Sequence, residues 1–272
     1  MYKTTSLATG LAHFSMECAV HSGGSSFPVL IMRFSLVLLV FAAAMAAQDS
    51  GQQLPSANDV VCKMIERDNQ RQAALHGYTA SRRYVLENLR HHKRAEMLVS
   101  VKVLDNGSKQ FETVSATGWG AARHHVFPSL LESESKASLP DVRKKSRITP
   151  ENYFFEMAGR DYINGRAAYV IAIAPKTQNK YLVEGKIWVD ADEYAIVRIE
   201  GKPAKSPSFW IESVHFVHTY EKIGFFWFPA SDRSVTDVRI LGATELTIEY
   251  FDYSPNATTL SASRELAPRS LP

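Results

Sequence analysis

The sequence predicts a mainly β fold of the α+β kind, built on one strongly curved antiparallel sheet or an open barrel. Residues 181–200 alternate apolar and polar side chains on both sides of a polar turn, which is typical of a half-buried antiparallel hairpin. About ten such segments follow one another through short turns such as Asn106-Gly107 and Asn164-Gly165, and such a series favours one curved sheet or an open barrel. The 45% hydrophobic and 11% aromatic residues are typical of a folded globular protein.

The beginning of the chain carries the pattern of a secretory signal. Met32 is followed by Arg33, by an apolar run over residues 34–44, and by a small-x-small cleavage site at Ala44-Met45-Ala46. We therefore predict export, with Met32 as the true start and residues 1–31 as the product of a misplaced start codon. An uncleaved membrane anchor is the alternative, which the short apolar run disfavours.

Composition divides the chain into four predicted segments. Residues 1–47 form the signal region, and residues 48–55 form a linker. Residues 56–253 form the folded domain. Residues 254–272, which are rich in Ser, Thr, Ala, Pro and Arg, form a disordered tail.

Two helices are predicted within the folded domain. Ser56 is the N-cap of the first, which runs to about residue 75 and has one narrow apolar face. The second is predicted over residues 127–137, with Pro128 in its first turn. The basic residues at 143–147 are interpreted as a solvated loop, and contact with anionic lipid head groups or with an acidic partner is the alternative.

No catalytic, cofactor-binding or metal-binding motif is found, so we expect no enzyme, no cofactor and no metal. The sequence has no G-x-S-x-G elbow, no P-loop and no H-E-x-x-H. Cys18 and Cys62 support neither a disulfide framework nor a metal site. The formal net charge of +3 is too small for a nucleic-acid partner. A secreted hydrolase with a dyad assembled from distant strands is a remote alternative.

Two sequence patterns carry a resemblance to a known family. GKIWVD at residues 185–190, followed by VRIE at residues 197–200, resembles a pattern of the periplasmic outer-membrane lipoprotein-sorting or lipoprotein-carrier superfamily, of the LolA/LolB/RseB N-terminal type. NGRAAYVI at residues 164–171 is similar to the hairpin that precedes that pattern in the family. The resemblance covers residues 56–253 and is sharpest over residues 160–253.

The resemblance implies one strongly curved antiparallel sheet that forms an unclosed β-barrel, with helices on its concave side. It also implies a hydrophobic cavity between the sheet and the helices. In the carriers this cavity holds the acyl chains of lipoproteins, whereas in the stress-regulator relatives the same domain acts through protein contacts. We therefore expect an exported bacterial protein of the periplasm or cell envelope that binds lipoprotein or other lipid acyl chains and performs no chemistry. The alternative is an interaction or stress-sensing module with a packed interior, whose partner is an envelope membrane protein.

The inward-facing residues predicted to line the cavity are chosen by strand parity and are all aliphatic. They are Met97, Val99, Val101, Val103, Ile171, Ile173, Ile187, Val189, Val197 and Ile199. Four aromatic residues follow one another at residues 225–228 and cannot all face one side of a strand. Phe226 and Phe228 are therefore candidates for a rim at the mouth of the barrel, and a central strand buried on both faces is the alternative.

Overall fold

The structure is a computed structural model that describes residues 54–206, 211–239 and 242–257. The predicted signal region, most of the predicted linker and most of the predicted tail lie outside these ranges.

The described part of the chain contains helices at its start and in its middle and strands elsewhere. The helices are α1 (Ala57–Ala74), a π-helical segment (Ala122–Val126), α2 (Phe127–Ala137) and α3 (Pro140–Ser146). The strands are β1 (Leu75–Asn88), β2 (Lys93–Val103), β3 (Lys109–Gly118), β4 (Tyr153–Ile163), β5 (Arg166–Pro175), β6 (Val183–Asp190), β7 (Ile196–Pro203), β8 (Ile211–Ile223), β9 (Phe226–Val238) and β10 (Gly242–Ala257).

All ten strands belong to one antiparallel sheet. Their order is β3-β2-β1-β10-β9-β8-β7-β6-β5-β4, so β1 pairs with both β2 and β10. The strands β3 and β4 form its two edges and do not pair with each other, so the sheet is not closed. The predicted fold class, an open antiparallel barrel with helices, is confirmed.

One row of directly paired residues crosses the whole sheet and defines its inner face, because paired residues point to the same side. From β4 to β3 the row is Met157, Ile171, Ile187, Ile199, His218, Asp232, Ile248, Tyr84, Met97 and Ala116. The row is apolar near both edges and polar at its middle, on β8 and β9. The inner face is therefore divided into two apolar lobes by a polar strip.

Each lobe is covered by its own helix. Ser56 caps α1 by accepting a hydrogen bond from the Asp59 backbone N–H at 3.1 Å. The buried α1 residues Val60, Val61 and Met64 pack in one cluster with inner-face residues of β5, β6 and β7. The cluster of the other lobe contains Phe127 of α2 and buried residues of β1 and β2. Both helices thus lie on the inner face, as the family resemblance implied.

A buried ion network fixes α2 to β1 and β3. Arg82 is 1% exposed and donates to the Glu134 carboxylate of α2 at 2.5 Å. Lys109 of β3 donates to the same carboxylate at 2.7 Å, and the Tyr84 hydroxyl donates to it at 3.2 Å. The Arg82 guanidinium also lies 4.7 Å from the centre of the Tyr250 ring. A charge as deeply buried as Arg82 requires such partners.

Both edge strands contain a β-bulge. The register of β3 against β2 skips Val114, and the register of β4 against β5 skips Ala158. A bulge increases the local twist of a strand and hinders the addition of another strand to the edge.

Two features differ from those expected from the sequence. The basic residues predicted as a loop form α3 together with the turn that follows it, and Pro140 at the helix start provides a preset φ. The first helix ends at Ala74, in agreement with its predicted end at about residue 75, and β1 begins at the next residue. The last strand continues to Ala257, past the predicted end of the folded domain at residue 253.

Among the described residues, no helix combines the length and the apolar character needed to span a bilayer.

We predict that Glu134→Gln lowers the free energy of unfolding at neutral pH by about 3–5 kcal/mol, because it removes the carboxylate partner of a buried guanidinium. Urea unfolding of both proteins measures the difference. Glu132→Gln is the matched control on the same helix, because the Glu132 carboxylate is 65% exposed in its pair with Lys136, and we expect little change from it. Equal stability of the Glu134→Gln variant and the wild type would contradict the role assigned to the network.

The same network predicts a dependence of stability on pH. Burial opposes the charge on Glu134, but Lys109 and Arg82 outweigh burial and lower its pKa from 4.5 to about 2. A carboxyl with a lowered folded-state pKa stabilises the fold above its unfolded pKa, and this stabilisation is lost as the pH falls towards the folded value. Between about pH 4.5 and pH 2 the wild type should lose on the order of 3 kcal/mol more than Glu134→Gln. Parallel pH profiles of the two proteins would count against this assignment.

Candidate ligand-binding site

A cavity of about 370 Å³ lies between α1, the α3 region and strands β7 to β9. Its lining combines an apolar wall and a polar wall. The lining residues are Met64, Ile65, Asp68, Arg71, Gln72, Leu75, Arg143, Ser146, Arg147, Ile148, Tyr194, Ala195, Ile196, Ile199, Tyr220, Phe226 and Trp227.

The apolar wall forms where the α1 cluster ends and the polar strip of the sheet begins. Ile65, Ile148, Ile196 and Tyr220 are half-buried and pack against the cluster that α1 covers. The pairing of β6 with β7 skips Val197, which places Ile196 opposite Val189 on the inner face. Because of this bulge, β7 contributes a second isoleucine, Ile196, to the cavity beside Ile199.

Arginine residues dominate the polar wall. Arg147 donates to the Asp68 carboxylate at 3.1 Å, so this pair joins the segment after α3 to α1. The Arg71 guanidinium donates to two backbone carbonyl oxygens, those of Glu193 at 3.2 Å and Tyr194 at 3.3 Å. These bonds hold α1 against the turn between β6 and β7.

Arg143 holds α3 to the turn between β2 and β3. Its guanidinium donates to the Asn106 carbonyl oxygen at 3.1 Å and lies directly over Gly107, where any side chain would overlap it. Within the described part of the chain, neither Arg71 nor Arg143 forms an ion pair with a carboxylate. The cavity therefore contains two guanidinium groups held by carbonyl oxygens.

Burial affects the ionisable groups of the wall. Burial outweighs the attraction of Asp68 and Glu193 and lowers the pKa of the Arg71 guanidinium below its ordinary value. Burial also raises the pKa of the Tyr220 phenol, which stays neutral at physiological pH. The wall thus presents a neutral phenol and guanidinium groups.

The turn between β6 and β7 is built by Asp190, which is fully buried. Its carboxylate accepts from the backbone N–H groups of Asp192 at 3.1 Å and Glu193 at 2.8 Å, and from Arg166 at 2.5 Å. The Glu193 side chain in turn accepts from the Trp227 indole N–H at 2.9 Å. This network positions both Trp227 and the carbonyl groups that hold Arg71.

A second cavity of about 490 Å³ adjoins the first, and Gln72, Leu75 and Arg143 line both. Its other lining residues include Tyr78, Lys109 and Glu134, so it is the more polar of the two. Arg143 is the charged residue common to both cavities.

A depression of about 760 Å³ lies on the opposite, outer face of the sheet. Its charged lining residues are Glu156, Glu184, Lys186, Glu200 and Lys202. Charges of both signs are interleaved there, as is usual for a solvated sheet face. No group of three or more His, Cys, Asp or Glu within the described ranges is placed to hold a metal ion.

The ten residues predicted to line a cavity are all buried, each at most 9% exposed. Ile171, Ile173, Ile187, Val189 and Ile199 lie in the lobe under α1, and Met97, Val99, Val101 and Val103 lie in the lobe under α2. Val197, the bulge residue, lies in a third cluster with Trp188. Of the ten, only Ile199 lines the cavity between α1 and α3.

The two rim candidates lie inside the protein. Phe226 is 7% exposed and Phe228 is 2% exposed, and both pack with Ala74. Phe226 lines the cavity between α1 and α3, whereas Phe228 stacks on Tyr253 at 4.5 Å. The exposed ring of this run is that of Phe225, at 50%.

Sequence reasoning did not assign Arg71, Ile148 or Tyr220 to the site. Arg71 lies among many charged residues of α1, and nothing in its local pattern distinguishes it. The basic residues at 143–147 form a visible cluster in the sequence, but their position over a cavity follows from the tertiary fold.

One family of known proteins matches a large part of the chain. Residues 92–218, from just before β2 into β8, match the model of the MucB/RseB N-terminal domain family. A comparison with curated proteins finds no match.

Several solved structures are similar at low identity. A putative outer membrane lipoprotein-sorting protein domain from Vibrio parahaemolyticus is 12% identical over 76% of this chain and 96% of its own, with a TM-score of 0.39. A LolA superfamily protein from Nitrosomonas europaea is 9% identical over 75% and 96%, with a TM-score of 0.36. A chain of the MucA/MucB complex of Pseudomonas aeruginosa is 11% identical over 74% and 99%, with a TM-score of 0.25. TM-scores this low support no conclusion about function.

Residues 92–218 thus match the MucB/RseB N-terminal domain family, and the resemblance to the LolA/LolB/RseB type that the sequence predicted is confirmed over this segment.

Proposed function

We propose that this protein is an exported cell-envelope protein that binds an acyl chain of a lipoprotein or another lipid between α1, α3 and the sheet, without performing chemistry on it. The observation that carries the proposal is the cavity of about 370 Å³ with a wall of isoleucine, methionine and aromatic side chains.

The cavity suits an apolar chain in both size and lining. Ligand sites in proteins usually have volumes of roughly 300–1,000 Å³ and are lined mainly by apolar side chains with a few polar groups. Each methylene group buried there would contribute about 0.8 kcal/mol, before the loss of freedom on binding. The phenol of Tyr220 and the indole of Trp227 add flat surfaces that can pack along such a chain.

The envelope location rests on two independent features. The predicted secretory signal that begins at Met32 supports export. The matched family, that of the MucB/RseB N-terminal domain, supports a role in the cell envelope.

A protein-interaction or stress-sensing role, with an envelope membrane protein as partner, is the second candidate. One observation favours it: the inward aliphatic residues of both lobes are covered by the protein's own helices. Packed lobes leave less room for an acyl chain than a hollow interior would.

We predict that the purified protein carries lipid, and that Ile148→Trp reduces the bound fraction several-fold because the larger side chain fills the cavity. Native mass spectrometry detects bound lipid, and extraction identifies it. Leu139→Trp is the matched control, because Leu139 is 49% exposed just before α3 and does not line the cavity.

Wild-type protein that carries no lipid and takes up none from vesicles would contradict acyl binding and favour the second candidate. Equal fractions of lipid-bound protein in the wild type and in Ile148→Trp would mean that lipid binds outside this cavity.

A further inference from the structure

We propose that the ligand of the cavity between α1 and α3 is an amphiphile with an anionic head, a carboxylate or a phosphate, and that Arg71 and Arg143 bind this head while the acyl chain lies along the apolar wall. The inference rests on the proposed function and adds the chemical class of the ligand.

The charges that line the cavity do not balance. Three arginines and one aspartate contribute to its lining. The aspartate, Asp68, is paired with Arg147 at 3.1 Å. Arg71 and Arg143 therefore add two positive charges that form no ion pair with a lining carboxylate. An anionic group in the cavity would supply the missing charge.

The hydrogen bonds of these two arginines leave donors for a ligand. A guanidinium has five N–H donors in a planar fork that matches a carboxylate or a phosphate. Arg71 uses its terminal nitrogens on the Glu193 and Tyr194 carbonyl oxygens, and Arg143 uses one on the Asn106 carbonyl oxygen. Carbonyl oxygens fix the position of a guanidinium without neutralising its charge.

Burial makes the charge of Arg71 unfavourable unless it is compensated. Its pKa is lowered by desolvation despite Asp68 and Glu193 nearby. A charged group in apolar surroundings is stabilised by a hydrogen-bonded counter-ion. The apolar wall of isoleucine and aromatic side chains lies in the same cavity, so an anionic head and an acyl tail can be bound together.

The position of Arg143 fits a head-group role. It lines both the apolar cavity and the adjoining polar cavity. A head bound at Arg143 would lie at the junction, with its tail in the apolar cavity and room for further polar substituents in the other.

The test uses the full-length purified protein, freed of bound lipid, and isothermal titration calorimetry at neutral pH. The probes are laurate and dodecyl phosphate as anionic amphiphiles, monolauroylglycerol as a neutral one, and inorganic phosphate as a head without a tail. We expect both anionic amphiphiles to bind roughly ten-fold more tightly than monolauroylglycerol, the difference that one charge-assisted hydrogen bond provides. Inorganic phosphate should bind far more weakly than dodecyl phosphate.

Arg143→Gln should weaken laurate and dodecyl phosphate binding by roughly ten-fold and leave monolauroylglycerol binding unchanged. Lys145→Gln is the matched control, because it removes one positive charge from the same helix at an exposed position that does not line the cavity. The wild-type comparison of laurate with monolauroylglycerol needs no variant, so it stands even if a variant fails to fold.

Equal binding of laurate and monolauroylglycerol by the wild type would overturn the anionic-head inference while the proposed acyl binding stands. An equal loss in Arg143→Gln and Lys145→Gln would overturn it as well, because it would indicate general attraction to the basic helix. Binding of none of the three amphiphiles would instead refute the proposed function. Tight binding of inorganic phosphate alone would show an anion site without a lipid tail.

Discussion

Strands β1 and β10 are the first and last strands in the chain, and they pair with each other inside the sheet. Without this pairing, β1 to β3 and β4 to β10 would be two separate antiparallel units. In its register Arg82 lies opposite Tyr250 and Tyr84 lies opposite Ile248, so the ion network of one unit contacts a ring of the other. Because α1 ends where β1 begins, the same pairing also limits where α1 can lie on the sheet.

The cavity follows from how the two helices share the inner face. α1 covers the lobe of β5 to β7, and α2 covers the lobe of β1 and β2. Between the lobes, Nδ1 of His218 lies 2.5 Å from the Asp232 carboxylate, and the Tyr250 hydroxyl donates to the same carboxylate. Polar groups with such partners do not require a covering helix. Space therefore remains between the lobes, and α3 lies over part of it, held by Arg143 and Arg147.

The sequence was sufficient for the sheet but not for the site. Alternation predicts strands because a strand has two faces, and the turns at Asn106-Gly107 and Asn164-Gly165 predict hairpins because few other residues accept their backbone angles. The range of the second helix, at residues 127–137, was likewise predicted from local pattern. Parity also identifies residues such as Ile171 and Val99 that the structure buries on the inner face, but parity alone does not show whether a helix covers them.

Other features depend on contacts between residues distant in sequence. The bulge at Val197 turns this residue away from Ile196 and Ile199, and strict alternation does not anticipate it. Arg71 and Arg143 line the same cavity only because α1 and α3 both pack over the sheet. In the sequence they are two unrelated charged residues. The anchoring of Arg143 on the turn over Gly107 likewise joins two segments that no local pattern connects.

The most direct test of acyl binding between the two lobes is paramagnetic broadening of methyl resonances by a nitroxide-labelled fatty acid. The account predicts selective broadening of the methyl signals of Ile148, Ile196 and Ile199, with those of Val99 and Val101 under α2 unaffected. Broadening confined to Val99 and Val101, or none at any of these methyl groups at saturating ligand, would contradict it.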